Sequence, residues 1–224
     1  MMPTAIALEC RLYDDDQQLE YERFPRIFDV DFVSIDKDTS IMLVNGLQVG
    51  DPLKDNAYQL DVGPNGLIDG YRFHDSIHLA FVAVLGWSPV LRGLMKRKRK
   101  TNKAIDDAED GARAQIVEEM IVKLAHSYAI SVDRTKLLTD QKHINMDLLK
   151  QIAQLAEGLE VSGSHGRKQP CKLWEWEKAI LLGFDLFNML RQHRTGRVRV
   201  DLKQRAVSFS ALDPTLLGRF PAPT

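Results

Sequence analysis

The sequence predicts a mainly α protein, an antiparallel helical bundle with a small antiparallel β-ribbon formed by its N- and C-terminal segments. Three observations carry this. Between residues 71 and 194, apolar side chains recur at three- and four-residue spacing, the period of a helix face. Near both ends, over 24–48 and 197–210, apolar and polar residues alternate as in strands. Clusters of Gly, Pro, Asn and Asp punctuate the chain between these segments. At 224 residues and 44% hydrophobic content, the chain is sized for one domain with a substantial core. The expected division is an N-terminal extension (1–23), a single domain (24–210) and a tail (211–224).

Each element has a local reason. Phe24–Asp36 is β-rich, with Ile27, Val30, Phe32, Val33 and Ile35 in imperfect alternation. Asp36-Lys37-Asp38 supplies a turn and Ser40–Val44 a second strand. Gly50, Asp51-Pro52, Gly63-Pro64-Asn65-Gly66 and Asp69-Gly70 make residues 50–70 a long loop. His74–Leu85 reads as a helix stopping near Gly86. Ser88-Pro89 starts another with proline in its first turn, running to about Lys100. Asp106–Ala129 is the longest helical pattern, with Val117, Ile121, Leu124 and Tyr128 sharing one face. Asp106-x-x-Glu109 has the form of a capping box at its start. Asp147–Glu157 is a shorter amphipathic helix, Val161–Gly166 a loop, and Trp174–Gln192 a last helix with Ile180, Phe184 and Phe187 toward the core. Trp174 and Trp176 read as core or interface anchors. Val198–Leu202 and Ala206–Phe209 alternate like two short strands.

Bulk chemistry narrows the function. A net charge of −1 leaves no global polycation for nucleic acid. No apolar run approaches the ~20 residues of a membrane span. The first residues lack a basic n-region followed by a long apolar stretch, so a cytoplasmic location is expected. Cys10 and Cys171 lie far apart without metal-type spacing and read as free thiols. There is no GxxxxGK[ST] or GxGxxG phosphate loop.

Three constellations carry chemistry. On a helix, His74 and His78 lie about 6 Å apart on one face, with Asp75 close by. His74 with His78, or Asp75 with His78, suits a divalent ion; the bland alternative is an Asp75 cap and hydrogen-bonded histidines. His74-Asp75 also evokes the HD phosphohydrolases, but those need a histidine well upstream, and His74 is the first in this chain. Glu118-Glu119 stands mid-helix beside the apolar stripe. Carboxylates there are expensive unless paired or metal-bound; the alternative is a solvated face with a Glu119–Lys123 pair. Lys96-Arg97-Lys98-Arg99-Lys100 is a run of five cations, suited to phosphate capture, to a solvated helix end or to nucleic acid. Arg113 either pairs with Glu109 or points at a phosphate. Glu177 and Asp185, about 12 Å apart along one helix, are too distant for a single ion.

These residues carry a family likeness. Gly70-Tyr71-Arg72-Phe73-His74-Asp75-x-x-His78-Leu79-Ala80, Leu85-Gly86-Trp87-Ser88-Pro89-Val90, the basic run, Glu109-Asp110-Gly111-Ala112-Arg113-Ala114 and Glu118-Glu119 resemble MazG-like proteins. More narrowly, they resemble the group with a MazG C-terminal-type domain. The likeness extends to Asn45-Gly46, Gly50-Asp51, Asp55-Asn56 and Trp174-x-x-Glu177-x-Ala179-Ile180-x-x-Gly183. It implies an all-α nucleoside triphosphate pyrophosphohydrolase that uses Mg²⁺, or Mn²⁺, to cleave (d)NTP into (d)NMP and pyrophosphate. It also implies a homodimer or higher oligomer. Family members pair ExxE with ExxD on neighbouring helices. Here Leu182 stands where the ExxD glutamate is expected, ahead of Asp185, and Glu157-x-x-Glu160 is the one ExxE. The expected site is therefore Glu118 and Glu119 as catalytic residues and metal ligands, Asp75 and His78 as further ligands, and Arg92, Lys96, Lys98 and Arg113 on the phosphates. A nucleotide-binding or protein-interaction module that has lost its metal set is the alternative. Membrane and nucleic-acid partners are not expected.

Overall fold

The computed structural model describes residues 15–55, 70–157 and 171–212. Ile27–Ser34 (β1), Thr39–Val44 (β2) and Leu47–Lys54 (β3) form a meander, and Gly196–Asp201 (β4) and Ala206–Ala211 (β5) a hairpin. They join into one antiparallel sheet of order β3-β2-β1-β4-β5. β1 is its centre: Val30 pairs with Val44 on one side, and Phe28 with Val200 on the other. Phe28, Val30, Phe32, Met42, Val44, Val198 and Val200 belong to the main core. Val33, Ile41 and Leu43, at the alternate positions, make a second small cluster.

Among the described residues six α-helices complete a mixed α/β fold: Asp75–Leu85 (α1), Pro89–Leu94 (α2), Lys103–Ala108 (α3), Ala112–Val132 (α4), Met146–Glu157 (α5) and Leu173–His193 (α6). This corrects the mainly α, helical-bundle expectation. The shortfall lies chiefly in β3, whose Gly50, Asp51 and Pro52 read as a loop. β3 is an edge strand with no fully buried residue, so it shows no apolar alternation, and an edge tolerates proline. Asn45 and Gly46 turn into it with φ of 49° and 81°, the left-handed pair of a two-residue hairpin.

Two helix boundaries also differ. The helix after Ser88 stops at Leu94, and Lys96 takes a φ of 56°, so the basic run is a loop. The long helical pattern breaks between α3 and α4. Asn102, not Asp106, caps α3, accepting from the Ile105 N–H. Glu109 and Asp110 turn inward onto Arg99, and a Cβ on Gly111 would lie 2.4 Å from the Asp107 carbonyl.

α1 is buried along all eleven residues, packed between α6 and the β4–β5 side of the sheet. A helix without a solvent face is apolar all round, which is why His74–Leu85 is so hydrophobic. Gly183 on α6 permits the closest approach: a Cβ there would sit 3.1 Å from the Ile77 Cα. Trp176 is buried edge-on against Phe81 and Trp87, whereas Trp174 is exposed beneath Arg205. Cys171 is buried. Among the described residues no helix is long and apolar enough to cross a membrane. Cys10, Gly63–Gly66, Glu160, the Val161–Gly166 loop and the tail beyond 212 lie outside the described residues.

Candidate metal centre

The N-terminal end of α1 meets the middle of α4. His78 and Glu118 are both fully buried, with His78 Nδ1 2.7 Å from Glu118 Oε1. Glu118 Oε2 accepts from the Val90 N–H at 2.8 Å, in the first turn of α2. Both carboxylate oxygens are thus occupied, which is how a mid-helix glutamate tolerates the interior. Because a carboxylate accepts, Nδ1 of His78 carries the proton. Its Nε2 faces Glu119 Oε1 at 3.4 Å, a long contact, and makes no shorter hydrogen bond.

His74 stands at the junction of the preceding turn and α1, without a capping bond from its side chain. Its ring stacks on Tyr71 at 4.5 Å, and Nδ1 donates to the Tyr71 carbonyl at 2.8 Å, which leaves Nε2 with the lone pair. That Nε2 is 3.5 Å from Asp75 Oδ1. One donor atom each from His74, His78 and Glu119 lies within 4.8 Å of the others. Burial pulls the His78 pKa down, but the adjacent Glu118 charge and hydrogen bond, with Glu119 and Asp75, outweigh it and hold the imidazole well above its ordinary value. Burial pushes Glu119 up, and its bond to His78 with the charges of His78 and His74 reverses this, leaving it below the usual glutamate value.

Beside the cluster lies a cleft of about 830 Å³ along α2 and α4, lined by Gly50, Leu94, Lys96, Gln115, Glu119 and Lys123 among others. Glu119 is common to the cleft and the imidazole pair.

The expected site residues are distributed as follows. His78 and Glu119 come together, and His74 completes the group. Glu118 orients His78 rather than joining the cluster. Asp75 is buried beside His74 without capping α1 through its side chain. Lys96 lines the cleft, and the Lys98 side chain passes close to Gly93 on its wall. Arg113 is exposed in the first turn of α4. Arg92 is interior: its guanidinium pairs with Asp15 at 3.1 Å, donates to the carbonyls of Glu22 and Arg97, and lies over the Phe24 ring. Arg99 is likewise buried, bonded by both Nε and Nη2 to Asp110 and by Nη2 to Glu109. The two arginines bind the segment around Asp15–Glu22 and the α3–α4 corner to the basic loop, an interior role in place of the phosphate role expected for Arg92. Lys123 was anticipated only as a partner for Glu119; its spacing of one turn was the signal that it shares the cleft. Asp185 is raised by burial and by Asp140 and is not in the cluster. Leu182 packs against the core, and Glu177 accepts from the Ile144 N–H.

The fold is a sheet-backed helical domain with ligand-type side chains at the head of a buried helix. The MazG C-terminal domain family matches residues 9–213, and the chain belongs to that family, of MazG-like nucleotide pyrophosphohydrolase type. No curated protein and no solved structure matches.

Proposed function

We propose that this protein is a nucleoside triphosphate pyrophosphohydrolase, cleaving (d)NTP into (d)NMP and pyrophosphate in the cleft along α2 and α4. The observation that carries the reading is the position of Glu119, an ionised carboxylate shared by the cleft and the histidine pair. Lys96 and Lys123 supply positive charge on the cleft wall for phosphate oxygens. The apolar wall, including Val90 and Leu94, suits the nucleoside end. Glu119 is placed to hold and orient the attacking water.

Magnesium fits this site in a limited way. Mg²⁺ takes oxygen ligands, commonly one or two carboxylates with phosphates and water completing the shell. Glu119 is the one carboxylate on the cleft among the described residues, so it would hold an ion arriving on the nucleotide. Bound there, the ion would neutralise phosphate charge and polarise the reacting phosphorus.

A pyrophosphate-release assay over the common NTPs and dNTPs, with and without Mg²⁺ or Mn²⁺, tests the reading. Metal-dependent release is expected, and Glu119→Gln should abolish it with thermal stability nearly unchanged, because the side chain is half exposed. Full activity in that variant overturns the assignment. Leu182, at the position where the resemblance expects a glutamate, favours the alternative of a degenerate nucleotide-binding module. Nucleotide binding without turnover would establish it.

A further inference from the structure

We propose that His74, His78 and Glu119 form a resident site for a first-row transition-metal ion of the imidazole-binding kind, in addition to any magnesium carried by the nucleotide. The inference deepens the functional reading and rests on it only in sharing Glu119; metal binding is measurable with no nucleotide present.

Four observations point to it. First, the donor set is two imidazoles and one carboxylate, which suits zinc, manganese, iron, cobalt or nickel far better than magnesium. Second, His78 Nε2 is fully buried and its facing group is Glu119 Oε1 at a long 3.4 Å, with no well-formed hydrogen bond. A buried polar atom so weakly satisfied is costly, and an ion between the two would satisfy both. Third, each histidine is fixed through Nδ1, one by a carboxylate and the other by a backbone carbonyl. This is the arrangement by which protein groups outside the ligand shell hold a metal-binding imidazole in one tautomer. Fourth, Asp75 is buried beside His74 Nε2, a further carboxylate within the immediate surroundings.

The spacing is compatible. Donors around one tetrahedral ion with bonds of about 2.1 Å lie about 3.4 Å apart. His78 Nε2 and Glu119 Oε1 are already 3.4 Å apart; the other donor atoms lie within 4.8 Å, so a contraction of at most about 1.4 Å is needed, which rotation of the partly exposed His74 and half-exposed Glu119 side chains can supply. The helix frame already does most of the work, because His74 and His78 are one turn apart.

The test is a titration of the full-length, chelator-stripped protein with Co²⁺, followed by its visible absorption, then competition with Zn²⁺ and with Mg²⁺. We expect one Co²⁺ per chain, displaced by equimolar Zn²⁺ and retained in millimolar Mg²⁺. His74→Ala should weaken Co²⁺ binding at least tenfold. His74 is partly exposed, so the variant keeps the buried His78–Glu118 bond, and circular dichroism checks its fold. Should it not fold, Glu119→Gln, at a half-exposed position, makes the same prediction. Absence of Co²⁺ uptake by the wild-type protein, displacement by Mg²⁺, or unchanged affinity in a folded variant overturns the proposal. Metal uptake without pyrophosphate release keeps this site and removes the functional reading. Release with Mg²⁺ alone and no Co²⁺ uptake does the reverse.

Discussion

Glu118→Gln replaces one oxygen of a fully buried side chain with an amide NH₂ and leaves its shape intact. In the native protein Glu118 accepts from His78 Nδ1 at 2.7 Å and from the Val90 N–H at 2.8 Å. Glutamine has one carbonyl oxygen. If that oxygen stays on Val90, the NH₂ group faces Nδ1, which must then give up its proton and become the acceptor. The ring then keeps a single proton, on Nε2, the nitrogen that faces His74 and Glu119. A charge-assisted bond of about 1.5–3 kcal/mol becomes a neutral one of about 1 kcal/mol, so the stability loss is about 0.5–2 kcal/mol. For a domain of this size that is a fall in Tm of roughly 1–8 °C. The effect on metal is larger in kind: changes to groups that orient a ligand typically lower affinity by about 10–100-fold. Glu118→Ala acts differently, leaving two buried donors unsatisfied at about 1–3 kcal/mol each, and should unfold at far lower temperature. The assay pairs thermal melts in chelator with Co²⁺ or Zn²⁺ competition. Wild-type metal affinity, within twofold, in a folded Glu118→Gln would refute the tautomer assignment.

Arg99→Met removes the partner of the buried Asp110 and Glu109; a loss of about 3–5 kcal/mol, read by urea or thermal unfolding, is expected, and a melt unchanged from wild type would contradict the interior role. Lys123→Ala and Lys96→Ala, both on the cleft, should raise the nucleotide KM several-fold with little change in Tm, and steady-state kinetics decide this. In chelator, stability should depend on pH through two groups. His78 has a raised folded pKa, so its contribution is complete below its unfolded value of 6.5 and is lost as pH rises through the folded value. Glu119 has a lowered folded pKa, so its contribution is present above 4.5 and lost as pH falls through the folded value. Melts from acid to mildly alkaline pH should decline at both ends, and the alkaline decline should flatten in Glu118→Gln.

Much of the site was legible in the sequence because its parts are local. His74 and His78 share a face by helical spacing alone, and Glu118 and Glu119 were marked by carboxylates beside an apolar stripe. The division of labour between those glutamates was not legible. Their neighbouring positions point about 100° apart, and only packing decides which one enters the interior. Arg92, and Arg99 within the basic run, are hard to place for the same reason: they look like free cations until the fold brings Asp15 and the Glu22 carbonyl to the first, and Asp110 and Glu109 to the second. The sheet was under-read because β3 carries edge-strand chemistry; the ribbon expected from the two ends of the chain corresponds to the β1–β4 pairing.

That pairing bears on how the chain comes off the ribosome. β1 is made before α1 to α6, and its partner β4 after them. Until Gly196–Asp201 emerges, one edge of β1 stays open beside Phe28, Val30 and Phe32. Contacts this far apart in sequence close slowly, and an open apolar strand edge invites pairing with other chains. Nascent or truncated chains ending before Gly196 should therefore be the aggregation-prone species, and the closing hairpin of β4 and β5 is the step at which synthesis yields a protected fold.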